Sequence, residues 1–347
     1  TDDSYRLRVP YYFNIAPDRD LLVALTYMSS RRFIYEGKYR QFIGPQLKAG
    51  SDDSIYQIEA KYLPEDKITS VKRWLFKFTE ELDLDTKTHF SAQYYRVSDL
   101  DYFKNIDRTN TDEKSLKSFL KLNYDDVINN FSSTLLAEDE QVVNTGVPVY
   151  IRELEGSVSK TFRADKKIPI QADLVSTKFA HDIVSNATGI RTHAKLGVSG
   201  NLDSKFPVIT PTASVSITNY SLTNSPNINR TILGSGVGLA FPFISQVNLY
   251  DSEFNHTLTP QISYSYRAKS VQGNIPIFDT TDKYDDIITF SDLTSGERYT
   301  GLDRVTNAND FTLSISSKFR DVNALKGDSD LLNMSIAQSY YTDDEVV

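Results

Sequence analysis

The side chains best suited to proton transfer are four histidines, His89, His181, His193 and His256. Imidazole titrates near neutral pH and serves most often as a general acid or base. None of the four sits in an HExxH spacing, and there is no GxSxG elbow and no glycine-rich phosphate loop. His181-Asp182 is an isolated dipeptide, and His89 and His193 fall inside strand-like segments. Cysteine is absent, which removes thiolate metal centres, disulfides and thiol nucleophiles from this stretch. Asp303-Arg304 has the make-up of an acid–base pair, but a salt bridge or hydrogen-bond anchor fixing a loop is the simpler reading. The acidic pairs Asp2-Asp3, Asp52-Asp53, Asp125-Asp126, Asp285-Asp286 and Asp343-Asp344 lie mostly at segment edges. There they read as solvated turns, or as carboxylates bridging divalent cations to anionic lipid headgroups. These residues point away from an enzyme, and from a resident metal or cofactor.

The elements that carry these residues have a two-residue rhythm. Ala213, Val215 and Ile217 alternate with Thr212, Ser214, Ser216 and Thr218. Phe311, Leu313 and Ile315 alternate with Thr312, Ser314 and Ser316. Successive strand residues point to opposite faces, so each segment is a ribbon with one apolar and one polar face. Segments of about ten residues with this dyad are what a transmembrane β-barrel needs, apolar towards lipid and polar towards a wet lumen. In such a wall Val215, Ile217, Leu313 and Ile315 face outward and stay exposed.

Period-2 segments run at Tyr5–Asn14, Leu21–Met28, Phe33–Ile43, Ser54–Leu63, Lys72–Leu82, Thr88–Val97, Ser115–Tyr124 and Asn129–Leu136. They continue at Pro148–Leu154, Val158–Arg163, Ile168–Ser176, Thr192–Ser199, Thr210–Thr218, Gly236–Phe243, His256–Arg267, Asp310–Phe319 and Leu331–Tyr341. The expectation is an all-β fold, an antiparallel transmembrane β-barrel present in part, with roughly sixteen strands of a larger barrel. No helical period interrupts them, which excludes a parallel α/β fold, and no internal repeat suggests a propeller. Ala16-Pro17-Asp18-Arg19 and Gly44-Pro45 read as tight turns. The connection from Lys269 to Asn309 is long, as outer loops of membrane barrels are.

Composition agrees. In 347 residues, 39% are hydrophobic, below the globular norm, while 21 Tyr and 19 Phe are available for aromatic girdles. No apolar run reaches the roughly 18 residues of a membrane helix. The net charge is −8 with no basic stripe, so nucleic acid is not expected as a partner. The chain has no starting Met or signal peptide and opens inside a strand. It reads as an excerpt of a longer protein.

Particular runs resemble a known family. Val9-Pro10-Tyr11-Tyr12-Phe13-Asn14-Ile15-Ala16-Pro17-Asp18-Arg19-Asp20 is similar to the PYYxNxAPNxD signature of the LPS-assembly protein LptD family. Tyr27-Met28, Arg31-Arg32 and Tyr39-Arg40 look like that family's next two strands. Tyr62-Leu63-Pro64-Glu65-Asp66-Lys67, Arg73-Trp74-Leu75-Phe76, Val97-Ser98-Asp99 and Tyr102-Phe103 continue the match in order. Thr257-Leu258-Thr259-Pro260 resembles its TLEPR motif, with Gln261 in place of the Arg. Phe278-Asp279 and Gly301-Leu302-Asp303-Arg304-Val305 with Ala308-Asn309 resemble its FD…GxDRIxxAN block. Thr109–Asn255 is only loosely similar.

The resemblance implies that residues 1–347 are part of a very large barrel in the Gram-negative outer membrane. A soluble jellyroll and a first strand would precede them, and further strands would follow. It implies lipopolysaccharide transport and insertion into the outer leaflet through the barrel lumen and a lateral seam. The implied partners are an LptE-like plug lipoprotein, an LptA-like periplasmic bridge reached through the N-terminal domain, outer-membrane lipid, and the barrel-assembly machinery. Pro10 is the candidate seam residue. Proline lacks an N–H and so weakens a strand ladder. If its strand is the barrel's second, Pro10 lies beside the closure. Phe278, Asp279, Gly301, Asp303, Arg304 and Asn309 are the candidate residues of an extracellular loop packed over or into the lumen mouth. The alternative function is a diffusion porin or substrate-specific channel. Such a channel would carry a ring of Arg facing Asp or Glu, and no dense Arg cluster is visible.

Overall fold

A computed structural model describes residues 5–43, 55–107, 111–163, 168–202, 206–249, 252–283, 288–321 and 330–342. Seventeen strands follow one another in these segments. The first eight are β1 (Arg6–Ala16), β2 (Arg19–Met28), β3 (Arg32–Phe42), β4 (Ile55–Leu63), β5 (Arg73–Asp83), β6 (Thr88–Val97), β7 (Ser115–Asp126) and β8 (Phe131–Val142). Next come β9 (Ile151–Arg163), β10 (Pro169–Ala180), β11 (Gly189–Ser199), β12 (Val208–Leu222) and β13 (Ile228–Ala240). The last are β14 (Phe243–Leu249), β15 (Ser252–Arg267), β16 (Ala308–Asp321) and β17 (Asp330–Tyr341). Two helical pieces interrupt them, a π-turn at Phe103–Asp107 and the short helix α1 (Phe290–Ser295).

The chain divides into two compact units, Thr1–Val158 with Ser176–Gly189, and Ser159–Val175 with Ile190–Val347. In the first unit β1 to β8 form a meander in which each strand pairs antiparallel with the next. In the second, β12 to β17 are likewise joined by antiparallel ladders. The antiparallel all-β expectation is met.

Burial inverts the globular rule, as the dyad requires. In β16, Phe311, Leu313 and Ile315 are 43%, 45% and 48% exposed, while Thr312 and Ser314 are each at 9%. Ile217 in β12 is exposed and its neighbour Thr218 buried, and Val215 is half-buried. In the first unit the register lines up Leu25, Tyr35, Tyr62 and Trp74 as cross-strand neighbours. All four are exposed. Three of the four are aromatic, the pattern expected of the girdle of a membrane barrel wall. The same strands turn Glu36, Lys38, Glu59, Lys61 and Lys77 to the opposite face.

The apolar core of the first unit is therefore not a layer between sheets. Met28, Ile34, Leu63, Leu75 and Val97 lie near one end of their strands on the polar face, and Tyr102, Phe103 and Ile106 of the 98–114 connection cover them. Ion pairs tie this cover down. The fully buried Asp66 accepts from Arg31 Nη1 and, at 3.3 Å, from Arg73 Nη1, and Arg73 Nε donates to Asp99 at 2.9 Å. All four residues stand in the family-like motifs.

Three strand assignments need correction. Pro148–Leu154 and Val158–Arg163 are one strand, β9, because sheet pairing carries the chain through Gly156. The segment read as Gly236–Phe243 begins at Ile228 in β13. β14 has no counterpart in the reading. The register of β15 runs unbroken from Ala240–Gln261 to Phe243–Leu258, so β13 and β14 are one strand interrupted at Pro242, which has no N–H to give. Gly44-Pro45 and the acidic pairs at 2–3, 52–53, 285–286 and 343–344 lie outside the described residues.

Candidate functional site

The second unit holds its long connection, residues 268–307, against the polar face of its strands. Three strands contribute: β11 gives Arg191, β12 gives Tyr220 and Thr218, and β13 gives Arg230. Each sits on the polar stripe near the strand end adjoining the loop, and all four are buried.

Asp303 is the hub. Its side chain is wholly buried. One carboxylate oxygen accepts from Arg191 Nη1 at 2.8 Å and Tyr220 Oη at 3.2 Å. The other accepts from the backbone N–H of Phe278 at 2.7 Å and of Asp279 at 3.1 Å. Arg191 also binds Asp279 through both terminal nitrogens, at 2.6 and 2.8 Å. Burial opposes the charge on Asp279, but hydrogen bonding and attraction from Arg191 outweigh it and hold the carboxyl below its ordinary range. A carboxylate with one guanidinium, one phenol hydroxyl and two amide donors is the paired, saturated arrangement that a buried charge requires.

Arg230 fastens the same loop by its carbonyls. Nη1 donates to Asp303 O at 2.9 Å and Gln272 Oε1 at 2.7 Å, and Nη2 donates to Leu302 O. Gln272 in turn binds Val305 at both backbone groups, at 2.7 and 2.9 Å. Gly301 adopts φ +65°, and a Cβ there would stand 2.6 Å from Asp279 Oδ1. Glycine is required on both counts. The middle of the loop is folded too. α1 carries a capping box between Thr289 and Asp292, and Arg298 Nε reaches both oxygens of Asp282 at 3.0 and 2.8 Å. The helix side meets β17 through Ser339 Oγ, which donates to Leu293 O at 3.4 Å.

The two family-like blocks are thus brought together: Phe278 and Asp279 close on Gly301 and Asp303. Arg304 is not the ion-pair partner of Asp303; its Nη1 donates to the Asp303 carbonyl at 3.2 Å. Asn309 is not a loop residue but the second residue of β16, accepting from Tyr264 Oη at 2.8 Å. Arg191, Tyr220, Arg230 and Gln272 were not singled out from the sequence. The first three come from the loosely similar stretch, and an Arg on a polar strand face looks the same whether solvated or paired. An Arg cluster does exist, but it faces aspartates inside a closed clasp, not an open rim.

Pro10 lies in the first unit, opposite Ala24. Ser29 N–H donates to Tyr5 O at 3.1 Å, which makes Tyr5–Ser29 a hydrogen-bonded pair of the β1–β2 ladder. Such pairs alternate, so Pro10–Ala24 is a non-hydrogen-bonded pair. The β1–β2 ladder loses nothing to the proline. Its missing donor belongs to the edge of β1 that faces away from β2.

Residues 71–347 match the family model of LptD, LPS transport system D. The chain is 27% identical over 358 residues to the LPS-assembly protein LptD of Idiomarina loihiensis, covering 99% of this chain and 44% of that protein. It is 25% identical over 367 residues to that of Vibrio cholerae, covering 99% and 44%. To that of Shewanella sp. strain MR-4 it is 26% identical over 336 residues, covering 92% and 42%. The chain spans less than half the length of these curated relatives. With its polar-faced antiparallel strands and its FD and GLDR blocks clasped together, the chain belongs to the LptD family.

Proposed function

We propose that this chain forms part of an outer-membrane barrel wall that delivers lipopolysaccharide to the outer leaflet. The observation that carries the reading is the inverted burial of its strands. Aromatic and aliphatic rows face outward where lipid would sit, and hydroxyl and charged rows face the loop-covered side. Large headgroups would pass along the polar side while the clasped 268–307 loop, placed on the extracellular side, closes its mouth. The whole protein would reach an LptA-like bridge through an N-terminal domain, hold an LptE-like plug, and be installed by the barrel-assembly machinery. A diffusion porin fits less well, because its charged constriction must be exposed to solute, and Arg191 and Asp303 are buried against each other.

Pro10 supports a lateral exit. A proline whose lost donor faces away from β2 weakens the pairing of β1 with the strand on its outer edge, the barrel's first strand beside the closure in this reading, while leaving the β1–β2 hairpin intact. A net backbone hydrogen bond is worth about 0.5–1.5 kcal/mol, enough to bias where a strained seam opens. Pro10→Ala in the full-length protein is expected to slow surface delivery of lipopolysaccharide and raise permeability to large antibiotics. Unchanged permeability at normal assembled levels would remove Pro10 from the exit route. A full-length protein that cannot restore surface lipopolysaccharide to depleted cells would remove the transport reading itself.

A further inference from the structure

Beneath the clasp, between the 268–307 loop and the polar face of β11–β13, lies a cavity of about 220 Å³. Its lining includes His193, Lys195, Arg267, Arg304 and Thr306, with Glu297 as the carboxylate. Glu297 is exposed. Lys195 is exposed as well, so the enclosed part is lined by the half-buried Arg267 and Arg304 with the buried His193 and Thr306.

Two lining residues are buried polar groups. Thr306 is 8% exposed, and its hydroxyl has no hydrogen-bond partner among the described residues. His193 is also 8% exposed. Its proton can be placed by following the donors. Arg230 Nη2 donates to Thr218 Oγ1 at 3.4 Å, so the Thr218 hydroxyl proton is free to go to His193 Nδ1, 2.9 Å away. We assign Nδ1 as the acceptor and Nε2 as the carrier of the hydrogen. Lys195 adds an ammonium group on the same stripe, two residues along β11 from His193.

We propose that this cavity is a binding site for a phosphomonoester anion. The donors are an imidazole N–H, a hydroxyl, an ammonium and a guanidinium, the set that a tetrahedral oxyanion saturates through charge-assisted hydrogen bonds. Nothing in this set suits a cation, and the volume takes a phosphate with part of the sugar that bears it. Free inorganic phosphate and a phosphorylated saccharide headgroup share this chemistry. The second source rests on the transport reading above.

The test uses the full-length protein in detergent, titrated calorimetrically with inorganic phosphate, glucosamine 1-phosphate and uncharged glucosamine. The expected result is saturable binding of glucosamine 1-phosphate, none of glucosamine, and about tenfold weaker binding in Lys195→Met and in Thr306→Val. Both substitutions are chosen to spare the clasp, since neither side chain bonds to it. Equal binding of inorganic phosphate would support the anion site and overturn the headgroup as its source. No saturable binding to the unmodified protein, or affinity unchanged in the Lys195→Met/Thr306→Val double variant, would overturn the site. Surface lipopolysaccharide measured in the same cells separates the two readings: normal delivery without phosphate binding sinks the site and leaves transport standing.

Discussion

Removing the carboxylate of Asp303 should release the long loop while leaving the strands in place. Asp303→Ala takes one acceptor from Arg191 and Tyr220 and the other from the amides of Phe278 and Asp279. Breaking a buried ion pair by deleting one partner costs about 3–5 kcal/mol. Asp279 still holds both terminal nitrogens of Arg191, so the lower end, about 3 kcal/mol, applies. The loss falls on the loop, since the β15–β16 ladder does not use Asp303. At 1.4 kcal/mol per factor of ten, loop opening rises roughly a hundredfold. Hydrogen exchange on the full-length protein reads this directly, in peptides covering 272–280 and 301–306. Asp303→Asn should not rescue, because in either orientation its NH₂ would face donors that need an acceptor, the backbone amides or Arg191. Tyr220→Phe removes one hydroxyl proton shared between Asp303 Oδ1 and the Leu302 carbonyl, worth about 1 kcal/mol, and should move exchange far less. If Asp303→Ala changes exchange by under about threefold, or no more than Tyr220→Phe does, the hub role is wrong.

Gly301→Ala should loosen the same loop by about 1–3 kcal/mol, from left-handed strain and the clash with Asp279, seen as protease nicking within 268–307. Because the Asp279 pKa is depressed, its stabilisation is complete above the ordinary carboxyl value of about 3.9 and is lost as pH falls through the lowered one. Loop exchange, corrected for its intrinsic pH dependence, should therefore be flat from neutral pH down to about 4 and rise only below it. In the first unit, Arg73→Met strips Asp99 of its cation and leaves the buried Asp66 with Arg31 alone. It should cost about 3 kcal/mol and expose the cover residues Tyr102 and Phe103 to proteolysis.

The strands were legible because a sheet with one apolar and one polar face writes them into every second residue. The loop blocks were legible as motifs, yet their partners were not. Arg191 meets Asp303 across 112 residues and Asp279 across 88, separations at which no local pattern points from one to the other. Arg191 also has the identity expected of any residue on a wetted face. Burial distinguishes a clasp from a solvated cation, and burial is set by where the loop lands. The reading of two strands around Gly156 failed for the converse reason: local propensity suggested a stop, and pairing to neighbours overrode it.

Pro10 shows how one residue of register changes a functional argument. Pro17-Asp18 makes a two-residue hairpin loop, and in an unbroken hairpin the flanking pair Ala16–Arg19 would be hydrogen-bonded. Alternation would then put the even residues of β1, Pro10 among them, in hydrogen-bonded pairs with β2, and the proline would damage its own hairpin. The register instead shifts between Asn14 and Ala16, where Ile15 is the extra residue. That bulge exchanges the two classes of pair, so the odd residues bond to β2 and the even ones turn their amides the other way. The hairpin keeps its full ladder and the proline's deficit is passed to the outer edge of β1. An unbroken ladder that paired Ile15 with Asp20 would undo the exchange. It would move the deficit of Pro10 into the β1–β2 ladder and turn Val9, Tyr11 and Phe13 towards the polar face, which is why a wall with this proline also needs this bulge.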